Sequence, residues 1–211
     1  MRHFVYATLL GLWLAVPAGA GGFVLALTDA KGAALSDAVV EVFAPAGLAL
    51  PPNRLAQDAR IDQRMEQFFP LVSLIRSGGR VTFLNNDTTR HQVYSFSAIK
   101  KFQFELKQGQ RSEAVVFDKP GVAAIGCNIH DSMITYVYVA DSPFAALSKD
   151  DGRVSFAELP AGAYEFRIWH PQLPQDKPGP SQHIVIGEGV KTLAVKLPVT
   201  GAKHAMHMGG Y

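Results

Sequence analysis

The chain has a single cysteine, Cys127, among 211 residues. One thiol cannot close a disulfide within its own chain, so no framework of bridges holds this protein together. Long apolar runs are also scarce. The stretch from Phe4 to Val16 is shorter than the roughly 20 residues a membrane span needs, and no later stretch approaches that length. Charge of one sign is lacking too: 20 Lys and Arg stand against 18 Asp and Glu, a net charge of +2, with no clustered basic run to track a phosphate backbone, which excludes a nucleic-acid groove. Absent as well are a Ser/His/Asp arrangement, a glycine loop that would cradle phosphate, and paired carboxylates in a recognisable setting. We therefore expect a non-enzyme.

The first residues carry an address. Arg2 and His3 precede the apolar stretch, and "PAGAGG" follows it, with Ala18 and Ala20 at the small-residue positions that signal peptidase requires. Residues 1–20 are predicted to be a secretory signal and the remainder an exported protein without a membrane span. A lone cysteine in an exported chain is buried and inert, paired with another molecule, or bound to a metal.

What the chain does have is β-strand signal. "GFVLALTD", "AVVEVFAP", "RVTFLNN", "SEAVVFD", "MITYVYVAD", "RVSFAEL", "AYEFRIWH", "HIVIGE" and "KTLAVKLP" recur at short intervals, separated by turn chemistry such as "DAKG", "KPG", "KDDG" and "PAG". An all-β protein of sandwich type is predicted. The one possible helix is "RLAQDARIDQRMEQ", and Asp58, Asp62 and Glu66 within it read as a solvated loop or helix face.

The lone cysteine stands in "GCNIHDSM", with His130 three positions later and Met133 three beyond that. His91 closes the strand end "FLNNDTTRH" upstream. Two imidazoles, a thiolate and a thioether form the donor set of a trigonal copper site with a weak axial methionine. Cys127, His130 and Met133 would share one tight loop, and His91 would arrive from another strand end. Zinc is the rival ion, but structural zinc sites usually carry two or more cysteines, and methionine suits copper better. A metal held this way needs a deprotonated thiol and neutral imidazoles, so affinity should fall with pH.

Two resemblances add to this reading. "GGRVTFLNNDTTRH" and "KPGVAAIGCNIHDSM" resemble the cupredoxins of the plastocyanin, amicyanin and pseudoazurin group, with the short ligand loop of the amicyanin type. That resemblance implies a mononuclear type 1 copper held by His91, Cys127, His130 and Met133, with His130 nearest solvent. It also implies a hydrogen bond beside the ligands from Asn86 or the Gln92 backbone. "LTDAKGAALSDAVVEVFAPAG" and "LSKDDGRVSFAELPAGAYEFRIWHPQ" are similar to the carboxypeptidase regulatory-like, or transthyretin-like, sandwich. Together they imply a Greek-key cupredoxin-like sandwich over 60–141 inserted in a second small β-sandwich made of 21–59 and 142–199, with a tail over 200–211. The whole arrangement also resembles exported proteins labelled methylamine-utilisation proteins, which implies the periplasm and a redox partner such as a cytochrome or dehydrogenase.

One-electron transfer is thus the expected role. Copper delivery is the alternative, favoured by His204, Met206, His207 and Met208 in the tail, and a structural or carbohydrate-binding sandwich with a vestigial site is a third reading. Phe68, Phe69, Pro70, Ile129 and Ile134 read either as a docking patch around His130 or as ordinary packing. His170 and His183 read as surface or interface histidines.

Overall fold

The computed structural model describes residues 21–48 and 54–200; the predicted signal over 1–20 and the tail residues His204, Met206, His207 and Met208 lie outside them. The described residues form strands and no helix. In chain order these are β1 (Gly21–Thr28), β2 (Val39–Phe43), β3 (Asp58–Arg64), β4 (Gln67–Phe69), β5 (Val72–Arg76), β6 (Gly79–Asn85), β7 (His91–Ser97) and β8 (Lys100–Leu106). There follow β9 (Val115–Phe117), β10 (Gly121–Cys127), β11 (Ile134–Ala140), β12 (Phe144–Leu147), β13 (Arg153–Leu159), β14 (Gly162–Trp169), β15 (Ser181–Ile186) and β16 (Gly189–Lys196).

Four sheets result. Strands β13-β1-β16 and β12-β2-β14-β15 enclose one apolar core, in which Phe23, Phe166, Tyr164 and Ile168 are fully or almost fully buried. Strands β5-β11-β10-β7-β8 and β4-β3-β6-β9 enclose another, built on Phe68, Phe83, Phe117 and Val137. The first pair of sheets takes its strands from both ends of the described chain, and the second takes them from between β2 and β12.

Period-2 alternation decides what enters each core. On β10, Ala123, Ile125 and Cys127 point inward; on β7, His91, Val93 and Ser95 do so. The face opposite Cys127 needs glycine at 126, because a Cβ there would stand 2.8 Å from the Tyr94 hydroxyl oxygen.

Where the chain leaves β11 the two regions are tied together. The buried Glu41 carboxylate accepts the Tyr138 hydroxyl at 2.8 Å and the N–H groups of Asp141 and Ser142 at 2.6 Å each. Burial, followed by the neighbouring Glu41 charge, pushes the Tyr138 hydroxyl far above its ordinary pKa, so this donor keeps its proton. The ring of Trp169 meets Tyr136 and Tyr138 edge-on and tilted, at 5.5 and 5.6 Å.

The segment read as a possible helix is instead the hairpin of β3 and β4. Its polar residues place only Ile61 and Gln63 of β3 inward, and β3 gains its ladder by pairing in parallel with β6. Long-range pairing here overrides a weak local preference. Met65 and Glu66 form the two-residue turn at φ 53° and 54°. A turn with both central residues in the left-handed region favours Asn-Gly, and each non-glycine residue there costs on the order of 1 kcal/mol.

Candidate metal centre

Antiparallel pairing of β7 with β10 sets Cys127 opposite Val93. Beyond the ladder, the Asn128 N–H donates to the Gln92 carbonyl at 3.1 Å, and the Asn128 side-chain amide to Gln92 Oε1 at 3.1 Å. The start of β7 is thereby fastened to the end of β10, and His91 falls beside Cys127. Their Nδ1 and Sγ atoms are 3.6 Å apart.

The loop after Cys127 turns back at once. The Met133 N–H donates to the His130 carbonyl at 3.0 Å, closing a turn that brings His130 over the cysteine. The rings of His91 and His130 meet edge-to-face, with centroids 5.2 Å apart. A ring nitrogen of each histidine and the cysteine sulfur all lie within 4.8 Å of one another. Among the described residues this is the one such group of three or more histidine, cysteine or acidic side chains. Met133 is buried in the same core as Cys127.

Access is limited to one edge. His91 is 0 % exposed, Cys127 3 % and Met133 2 %, whereas 21 % of the His130 side chain reaches solvent.

A hydrogen bond orients the His91 imidazole, and a carboxylate stands within ion-pair range of His130. His91 Nε2 donates to Asp87 Oδ2 at 2.8 Å, so its Nδ1 lone pair faces the sulfur. His130 Nε2 stands 3.4 Å from Glu66 Oε1, and its Nδ1 is buried with no hydrogen-bond partner. An orphaned buried nitrogen calls for an explanation, and an ion shared with Cys127 Sγ and His91 Nδ1 supplies one. Bonds of about 2.0 Å to nitrogen and 2.3 Å to sulfur can bridge the 3.6 Å between Nδ1 and Sγ. The donor set therefore fits a transition-metal ion.

Asp87 is placed by Asn85. This buried amide donates to the carbonyls of Thr89 and Leu106 at 2.8 and 2.9 Å, and its Oδ1 accepts the Asp87 N–H at 2.9 Å.

The expected contact from Asn86 or the Gln92 N–H does not describe what orients His91. Asn86 donates its N–H to the Gln63 carbonyl at 2.8 Å, Gln92 contributes acceptors to Asn128, and a carboxylate holds the ring. The acidic residues read as a solvated face part ways. Asp58 pairs with Arg80 at 2.7 Å and Asp62 with Arg60 at 2.8 Å, while Glu66 reaches the metal centre. Sequence reasoning missed Asp87 and the role of Glu66; the one available signal was an acid four positions before His91.

The apolar residues near the loop also divide. Phe68 belongs to the core, Phe69 lies under the Arg64 guanidinium at 4.4 Å, and Pro70, Ile129 and Ile134 are exposed. His183 is exposed on β15. His170 is buried, contrary to the surface reading, and its Nδ1 accepts the Gln172 N–H at 3.2 Å.

No family model matches the chain, and no curated protein matches it. Solved structures do. A purple cupredoxin from Nitrosopumilus maritimus is 26 % identical over 39 % of this chain and 99 % of its own, with a TM-score of 0.36. Amicyanin from Paracoccus versutus is 17 % identical over 47 % of this chain and 97 % of its own, with a TM-score of 0.35. A copper-containing nitrite reductase from Thermus scotoductus is 26 % identical over 48 % of this chain but only 25 % of its own, with a TM-score of 0.36.

Proposed function

We propose that this chain is an exported carrier of single electrons, in which His91, Cys127, His130 and Met133 would hold one type 1 copper. The observation that supports it is the convergence of the Cys127 sulfur, His91 Nδ1 and a ring nitrogen of His130, a residue whose Nδ1 is buried without a hydrogen-bond partner. One cysteine and one methionine in the set favour copper over zinc. The same reading takes 60–141 as a cupredoxin-like unit set into a transthyretin-like sandwich, the periplasm as its place, and a cytochrome or dehydrogenase as its partner.

When bound, copper supplies a one-electron couple. The chain's own residues do the rest. Cys127 serves as thiolate, having given up its proton. Asp87 fixes the tautomer of His91 and so keeps the Nδ1 lone pair free. Rigid strands on either side keep water from Cys127 and Met133, and little has to move when the charge of the site changes. His130, the ligand with an edge in solvent, is the point of electron exit.

The test is to add one equivalent of Cu(II) to the purified chain and record visible and EPR spectra beside Cys127→Ser. We expect an intense thiolate-to-copper band with narrow hyperfine splitting, absent in the variant, and a reversible one-electron couple. Copper should also raise the unfolding temperature, since a ligand at about 100 times its Kd adds about 2.7 kcal/mol to stability. Weak binding that ignores Cys127→Ser would overturn the proposal, and rapid surrender of the ion to a chelator would favour delivery over electron transfer.

A further inference from the structure

The tight turn between β3 and β4 lies against the metal centre, and nothing in the electron-carrier reading requires it there. Its residue Glu66 stands beside His130 directly and reaches His91 only through Asp87. The side chain reaches His130 Nε2 at 3.4 Å. The backbone N–H donates at 3.1 Å to Asp87 Oδ2, the same oxygen that accepts His91 Nε2 at 2.8 Å. The far edge of His130 thus faces the side chain of this turn, that of His91 is held by an aspartate which the turn's backbone N–H supports, and the turn adopts a left-handed backbone at two non-glycine residues.

We propose that the Met65–Glu66 turn is a carboxylate clasp that retains the metal, with Glu66 and Asp87 as positioning residues for His130 and His91. The proposal rests on the copper reading above. An imidazole leaves an ion by swinging its ring away, and a carboxylate at Nε2, hydrogen-bonded as Asp87 is to His91 or within ion-pair range as Glu66 is of His130, opposes that swing. The two carboxylates also place negative charge behind the ligands of a cation. Glu66 covers the His130 edge, the exposed side of the site and the natural way in for a competing chelator. A centre clasped in this way keeps its ion, as an electron carrier must and a delivery protein must not.

The test loads the full chain with Cu(II), adds excess EDTA and follows the decay of the thiolate-to-copper band. Wild type is compared with Glu66→Ala, Glu66→Gln, Asp87→Ala and Asp87→Asn. We expect the alanine variants to lose copper about 10- to 100-fold faster, with a shifted band. The Gln and Asn variants keep an acceptor oxygen and should recover most of the loss. Glu66 is 57 % exposed in its side chain, so Glu66→Ala should fold and decides the matter even if Asp87→Ala does not. Release at the wild-type rate from Glu66→Ala, with an unchanged band, would overturn the clasp and leave the copper reading standing. Equally fast loss from Glu66→Gln and Glu66→Ala would overturn positioning in favour of charge. If wild-type binding is indifferent to Cys127→Ser, the copper reading fails first and the clasp with it.

Discussion

The two cores are built from the same kind of strand, yet they treat buried polar groups differently. Around the core of Phe23 and Phe166, such groups are satisfied close at hand. Asp29 Oδ1 accepts the N–H groups of Lys31 and Ala33, Ser148 Oγ bridges the Ala38 N–H and the Leu35 carbonyl, and Glu41 takes three donors. Around the core of Phe83 and Phe117, satisfaction is incomplete. Among the described residues, the buried side-chain nitrogens and oxygens left without a hydrogen bond all belong to 58–140, Gln63, Ser73 and His130 included. Unpartnered buried groups carry a desolvation cost of about 1–3 kcal/mol each, and of these residues His130 is the one that belongs to the candidate metal centre. One core braces; the other holds donors in readiness.

Substitutions can break or sharpen that contrast. The largest effect is expected from Phe23→Ala in the bracing core, where the ring is fully buried, stacked on Phe156 at 5.0 Å and tilted to Phe166 at 5.8 Å. Chemical denaturation should register a loss of about 3–5 kcal/mol, while the copper spectrum of the folded protein stays unchanged. A perturbed spectrum would mean that the two cores are less separate than their sheets.

Asn85→Ala should cost somewhat less, about 2–3 kcal/mol, because it leaves the buried Leu106 carbonyl and the part-buried Thr89 carbonyl without their donor. Unlike Phe23→Ala it should also disturb the copper band, since Asp87 loses its support. Glu66→Gly works in the opposite sense. It removes a left-handed non-glycine residue and should raise the stability of the metal-free protein by about 0.5–1 kcal/mol, seen as a higher unfolding temperature, while copper is lost faster to EDTA.

The smallest effect concerns pH. Burial holds the His170 imidazole below its usual pKa. A base depressed in the folded state binds its proton more readily when unfolded. The stability it allows is therefore fully present above about pH 6.5 and is lost as pH falls through the folded value. Unfolding temperatures of wild type and His170→Gln, measured from neutral pH downward, should diverge, with the wild type losing more. Parallel curves would show that His170 does not contribute to acid sensitivity.

The candidate metal centre was legible where its residues are close in sequence. Cys127, His130 and Met133 at three-residue spacing can share one turn whatever the rest of the chain does, and His91 stood out as the histidine closing a strand end. Glu66 and Asp87 were not legible. Glu66 sits in a polar segment with few apolar residues to set a period, and its turn lacks the Asn-Gly that announces a hairpin. Asp87 depends on Asn85, whose own partners include Leu106 on another strand. The burial of His170 was missed for a similar reason, because it lies just past the end of β14 and beside Ser36 and Asp37, far away in sequence.

By itself, then, the sequence determined the strand-rich class, the turns and the side-chain types offered at the candidate centre, because alternation, turn residues and side-chain chemistry are local properties of the chain. Only the tertiary structure decided that Nδ1 of His91 faces the sulfur and which carboxylates stand behind the two histidines. Those depend on strands distant in sequence pairing in one register, and a shift of one residue would turn His91 and Cys127 to the opposite face.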